Sequence, residues 1–273
     1  MDSPVTDIER SRLRAAPPGL PLMRQRWRRL AFLHWAVEPR ALAALLPSAL
    51  ELDTWKGHAY VGMVPFAIQG SRVPFLPPIP FLSSFNELNL RTYVHRGGRD
   101  PGVWFFSLDA TSRLAVWGAR AVYKLPYFHA SIAMERSLRG LVSFSSRRNN
   151  DQHRPAFSCS YEPLAAPEVA TPGTLEFFLI ERYLLYSSDG RYLRSGRVWH
   201  RPYRFAPARV LQLQQDLAAW ADIDVADDCA PIAHYADDVD AHIYAPSLVT
   251  EPARRRFVMA TPAHGQIHEA AGS

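Results

Sequence analysis

The clearest pattern in the chain is the alternation from Phe85 to Val94. On a strand, Phe85, Glu87, Asn89, Arg91 and Tyr93 fall on one face, and Leu88, Leu90, Thr92 and Val94 on the other. Residues 58–68 and 102–110 read as neighbouring strands, set off by turn signals at Lys56-Gly57 and Gly97-Gly98. Two more strands are predicted over 113–125 and 131–145, and another over 239–244. Asp189-Gly190 marks a hairpin turn. Helices are fewer. Residues 38–46 carry Pro39 in a first turn and stop before Pro47. Thr174 to Arg182 begins with an N-cap threonine. Val210, Leu213, Leu217 and Trp220 give residues 206–221 a helical spacing. Pro74, Pro77, Pro78 and Pro80 make 71–82 a rigid loop. Many strands with few helices predict a mainly β (α+β) fold, an antiparallel barrel or sandwich with peripheral helices. A barrel of this kind encloses a central cavity for a small ligand.

The 273 residues show no repeat of fixed period, so one domain over 21–246 is expected. Residues 1–20 read as a mobile basic leader, and 247–273 as a flexible tail. The net charge of +5 is concentrated in residues 1–29 and 247–273; the body between them is neutral. That argues against nucleic acid as a partner. No apolar run is long enough to cross a bilayer and no signal-peptide pattern opens the chain, so no membrane partner and a cytoplasmic location are expected. Cys159 and Cys229 make neither a disulfide framework nor a thiolate cluster. All 31 basic residues are Arg except Lys56 and Lys124.

The polar face of the 85–94 strand holds the first chemical candidates. In a lumen, Glu87 donates or accepts a proton, Arg91 anchors an anion and Asn89 adds a polar contact. The competing reading is a solvated face. If 113–125 is a regular strand, Gly118, Arg120, Val122 and Lys124 share a face. An adjacent cation and burial both lower a lysine pKa, which makes Lys124 a candidate amine nucleophile. The competing reading is a surface lysine. His34, beside Trp35, reads as a packing residue, and no two-His helical spacing suggests a metal site. Neither a Gly-x-Ser-x-Gly elbow nor a glycine-rich phosphate loop is present. Glu176, Glu181 and Arg182 fit a structural ion-pair network as readily as a site.

From residue 27 to about 245 the chain resembles the YqjF-like bacterial family, uncharacterised proteins related to acetoacetate decarboxylase. The resemblance rests on HWAVEPRALAALLP (34–47), ELDTWKGHAYVGMVPF (51–66), FNELNLRTYV (85–94), PGVWFFSLDA (101–110), ARAVYKLPY (119–127), PGTLEFFLIERYLLY (172–186) and VWHRPY (198–203). It implies an acetoacetate-decarboxylase-like β-barrel with a central cavity. The decarboxylases carry a pattern close to Gly-Arg-Glu-x-x-Gly-Phe-Pro-Lys-Lys, whose first lysine forms a Schiff base. Aligned on Arg120 and Pro126, that lysine position holds Tyr127 and the next holds Phe128, while Ala121 stands in place of the glutamate. Glu87 resembles the glutamate of the decarboxylases' Tyr-x-Glu-Ala strand. A tyrosine forms no imine, so the enamine route to decarboxylation lacks its amine.

The expectation is a cofactor-free enzyme, lyase or isomerase in type, acting on a carbonyl or carboxylate compound by acid–base chemistry. Glu87, Tyr127 and Lys124 are its catalytic candidates. Arg91, Arg120 and Asn89 are its substrate-binding candidates. No metal is expected, and a homo-oligomer is allowed. The alternative is a non-catalytic small-ligand-binding barrel.

Overall fold

The computed structural model describes residues 5–79, 83–149, 151–226 and 229–252. In chain order, the first half comprises α1 (Asp7–Arg12), β1 (Met23–Val37), α2 (Pro39–Ala44), β2 (Glu51–Leu52), β3 (Ala59–Arg72), β4 (Phe85–Arg96), β5 (Arg99–Ala110) and α3 (Arg113–Tyr123). The second half comprises β6 (Tyr127–Arg136), β7 (Val142–Arg148), β8 (Ala156–Pro163), β9 (Glu168–Val169), α4 (Leu175–Ile180), β10 (Leu184–Ser188), β11 (Tyr192–His200), β12 (Arg204–Gln215), α5 (Leu217–Trp220), β13 (Ile232–Ile243) and β14 (Ser247–Pro252). Among the described residues no helix is long and apolar enough to cross a membrane.

The strands close on themselves. One ring runs β1–β3–β4–β5–β10–β11–β13 and back to β1. A second path leaves β5 through β6, β7, β8 and β12 and rejoins at β13. The pairings are antiparallel except β5–β10 and β5–β6, which are parallel, so the expected antiparallel sheet holds at all but two joints. β1, β3 and β4 lie between two apolar cores. Leu30 and Phe32 of β1 and Val64 and Phe66 of β3 face one; Ala31, Leu33, Val61 and Met63 face the other. Alternation along a pleated strand sends successive side chains to opposite cores.

The predicted elements at 38–46, 58–68, 85–94, 102–110, 174–182 and 239–244 correspond to α2, β3, β4, β5, α4 and β13. Thr174 caps α4, its Oγ1 accepting from Phe177 N, and Asp189-Gly190 joins the antiparallel pair β10–β11. The stretch 131–145 divides into β6 and β7, which pair as a hairpin.

Other expectations are corrected. The expected strand at 113–125 is instead α3, Arg113–Tyr123. Parallel strands need a crossover, and α3 supplies it between β5 and β6. Ser112 caps the helix at its start, and Lys124 ends it in the left-handed region at φ 56°. Residues 206–221 are mostly strand, not helix. A bulge at Leu211 inserts one residue between the pairs Val210–Tyr161 and Gln212–Ser160. Val210 and Leu213 then pack on the same core three residues apart, which imitates helical spacing.

β1, which the sequence pattern did not reveal, contains a similar irregularity. Its register against β3 shifts between Arg28 and Leu33, and Arg29 within that interval has φ 56°. Gln25 and Trp27 face the cavity before the shift, Leu30 and Phe32 after it, so neither period runs the full length.

The stretch 1–20 is not uniformly a leader. It includes α1, whose Arg10 is 5% exposed and bonds Asp53 at 2.6 Å. Arg197 donates to the carbonyls of Leu13 and Ala15, and Trp199 to that of Arg14. The expected tail at 247–273 begins with β14, paired to β11. Its residues 253–273, and Pro80 of the proline-rich loop, lie outside the described residues.

Candidate active site

The ring encloses a cavity of about 470 Å³. Its walls are mainly apolar, from Trp27, Phe32, Phe66, Phe105 and Leu108 among others. β4 crosses the wall from mouth to floor and contributes Phe85, Glu87, Asn89 and Arg91 in that order. The alternation seen in the sequence therefore places the polar face inside, not in solvent. Leu88 and Leu90, on the opposite face, are buried in the second core.

Tyr127 enters from the start of β6. Its register partner on β5 is Leu108, and Glu87 pairs with Ala110 on the same strand. The two side chains meet: Tyr127 Oη donates to Glu87 Oε2 at 2.9 Å. Glu87 is 4% exposed. Burial raises its pKa to about 8, against the lowering effect of the Tyr127 bond, with a further increase from the Asp109 charge. Burial likewise pushes the Tyr127 phenol well above its ordinary value, with the neighbouring Glu87 adding to the effect. Below about pH 8 the carboxyl therefore holds its proton.

Asp109 stands behind this pair. Its Oδ1 accepts from Arg148 Nε at 2.8 Å, and Oδ2 has no protein partner among the described residues. Burial raises the Asp109 pKa to about 6, opposed by Arg148. The Arg148 guanidinium lies over the rings of Phe128 and Trp220, 4.0 and 3.9 Å from their centres.

Arg91 lies toward the floor. Its guanidinium faces the rings of Phe32 and Tyr93 at 5.5 and 5.8 Å, and Nη2 reaches the Leu179 carbonyl at 3.4 Å. Among the described residues it makes no ion pair; its Nε and the Asn89 Oδ1 are buried without protein partners. A buried cation and amide with bonding capacity to spare are suited to a polar ligand.

The remaining candidates lie elsewhere. With 113–123 helical, Arg120 and Lys124 share no strand face, and Lys124 is not buried, so the burial argument for its amine no longer applies. Ala115, Gly118, Ala119 and Val122 line the cavity instead, at the spacing of one helix face. Lys124 is exposed at the helix end. Arg120 is also exposed and donates from Nε to the Tyr127 carbonyl at 2.6 Å, so it supports the backbone of β6. Neither lines the cavity, and neither does Lys56.

The sequence reading did not reach Asp53, and left Arg182 between two roles. Arg182 lines the floor, but Asp53 holds it at 2.7 Å while also holding Arg10 at 2.6 Å. Asp53 lies 43 residues from Arg10 and 129 from Arg182, so no local spacing reveals the group. His34 is fully buried, its Nε2 2.6 Å from the Tyr93 hydroxyl. A Cβ at Gly62 would lie 2.8 Å from the His34 ring, which accounts for the glycine there.

Comparison with known proteins gives this architecture a family. Residues 24–240 match the family DUF2071, described as an uncharacterized conserved protein. The chain belongs to that family. It is 39% identical over 226 residues to the uncharacterized protein YqjF of Bacillus subtilis (strain 168), covering 83% of this chain and 92% of that protein. The fold is that of acetoacetate-decarboxylase-like proteins. The enduracididine biosynthesis enzyme MppR, complexed with the condensation product of pyruvate and imidazole 4-carboxaldehyde, aligns with a TM-score of 0.60 at 11% identity, over 84% of this chain and 90% of its own. An acetoacetate decarboxylase-like enzyme from Sphingomonas wittichii RW1 aligns at 0.58 and 12% identity, covering 84% and 93%. Acetoacetate decarboxylase from Legionella pneumophila aligns at 0.57 and 13% identity, covering 90% and 96%. At these identities the structural likeness speaks for the fold alone.

Proposed function

We propose that this DUF2071 protein is a cofactor-free enzyme that transfers a proton at a carbon next to a carbonyl, lyase or isomerase in type. The observation that carries this reading is the Tyr127–Glu87 bond inside an apolar cavity, with the carboxyl pKa raised to about 8. A proton-transfer group works best when its pKa lies near the working pH. The ionised Glu87 takes the proton from carbon. The electron pair of that C–H bond forms the enolate, whose oxygen receives the Tyr127 O–H hydrogen bond. Protonated Glu87 then returns the proton to a different carbon in an isomerisation. In a lyase reaction the enolate expels a leaving group. Asn89 and Arg91 bind the polar end of the substrate.

No Schiff base enters this mechanism, because both lysines are exposed and outside the cavity. Structural neighbours that include MppR with a pyruvate condensation product and an acetoacetate decarboxylase support the choice of a carbonyl acid as substrate. The test is deuterium incorporation from D2O into a panel of oxo acids, followed by proton NMR. Incorporation should require the wild-type protein, increase as pH rises through about 8, and disappear in Glu87→Gln. Incorporation unchanged in Glu87→Gln defeats the mechanism. If no oxo acid exchanges, the protein is a ligand-binding barrel.

A further inference from the structure

The order of groups along the cavity wall defines a class of substrate. Glu87 and Arg91 are four residues apart on one strand, and so about 13 Å apart along the backbone. Their side chains do not close that gap by pairing. Glu87 bonds Tyr127, while Arg91 reaches the Leu179 carbonyl at the floor. A three- or four-carbon oxo acid, with its carboxylate adjacent to or one carbon from the carbonyl, is too short to meet both. The cavity size agrees, since about 470 Å³ lies in the range that encloses far larger molecules.

The mouth gives the other end of the substrate. Val73, Leu76 and Ile79 after β3, and Leu114 and Val122 on α3, all line the cavity while remaining exposed. Five large apolar side chains around one opening make an apolar entrance rather than scattered surface residues. The polar floor, the proton-transfer pair and the apolar mouth thus follow one another along a single channel.

From this ordering we infer that the cavity takes an elongated amphipathic carboxylate. Its carboxylate meets Arg91 and Asn89 at the floor. Its carbon chain passes Glu87 and Tyr127 and extends to the mouth. The inference rests on the proposed site, but concerns what fills it rather than the proton transfer. The reacting carbonyl then stands several bonds from the carboxylate, beside Glu87.

Calorimetric titration of the wild-type protein with butanoate, hexanoate, octanoate and decanoate tests the class. Affinity should increase about fourfold per added methylene, the equivalent of about 0.8 kcal/mol, until the chain fills the cavity. 1-Octanol should bind at least tenfold more weakly than octanoate. Arg91→Met should bring the two to similar affinity, and Glu87→Gln should retain the chain-length dependence. Butanoate binding as tightly as decanoate, or octanol matching octanoate on the wild type, overturns the inference even if Arg91→Met fails to fold. The chain-length dependence without deuterium exchange supports this ligand class and removes the proton-transfer reading. Exchange without chain-length dependence does the reverse.

Discussion

Around Asp53, buried charges close on one another; along β4 they remain open. Asp53 is fully buried and holds Arg10 through one carboxylate oxygen and Arg182 through the other. That group joins α1, the segment before β3 and the end of α4. A short distance away, among the described residues, Arg91 is 8% exposed with no carboxylate partner, and Glu87 is 4% exposed and bonded to a phenol. Both regions bear the cost of taking ionisable groups out of water. The first recovers it through pairing and gains a fixed position for the N-terminal segment. The second leaves bonding capacity directed into a cavity. A buried charge is therefore not in itself a sign of a site; what distinguishes the two is whether it already has a partner of opposite charge.

The largest expected effect breaks the closed region. Asp53→Ala should leave the buried Arg182 without its carboxylate and Arg10 with the more distant Asp7 at 3.5 Å, and cost about 3–5 kcal/mol of stability in urea denaturation. Arg91→Met should do the opposite: stability changes by no more than about 1 kcal/mol, because no ion pair is lost, while carboxylate binding falls sharply. Equal destabilisation by the two variants would erase the distinction between the regions.

Glu87 sharpens the comparison through pH. Its folded pKa of about 8 lies above the ordinary 4.5. The folded state therefore binds the extra proton between those values, and stability falls as pH rises through that window. Glu87→Gln should remove most of this decline. A smaller one should persist as pH rises to about 6, from Asp109, whose pKa is also raised. Thermal melts at pH 4.5 to 8.5 measure both. Tyr127→Phe removes the bond that lowers the Glu87 pKa, so the exchange profile should move to higher pH, with a stability loss of about 1 kcal/mol. The smallest effect is expected at Lys124, outside both regions. Its φ of 56° favours glycine, and Lys124→Gly should add about 0.5–1 kcal/mol in the same denaturation assay.

Much of the fold was legible where a pattern stayed local and regular. The alternation of 85–94 identified β4 and its polar face, Thr174 marked the start of α4, and Asp189-Gly190 marked the β10–β11 turn. Reading failed where one residue disturbed the period. The bulge at Leu211 made β12 resemble a helix, and the irregularity near Arg29 obscured β1. At 113–125 the residues Val116, Val122 and Tyr123 suit a strand, while the need for a crossover between parallel β5 and β6 imposes a helix. That change separated Lys124 and Arg120 from the cavity.

The sequence by itself determined the family, the mainly β character and the polar face of β4, because these depend on residue order and short-range period. The resemblance to the decarboxylases also raised the expectation that Tyr127 stands where they carry their lysine. Only the tertiary structure decided that Glu87 and Tyr127 touch, that Arg91 stands apart from them, and that Asp53 pairs with both Arg10 and Arg182. Those pairings join residues from distant strands. Burial then sets their protonation, because the loss of water raises the cost of charge, and no local pattern records which groups lose it.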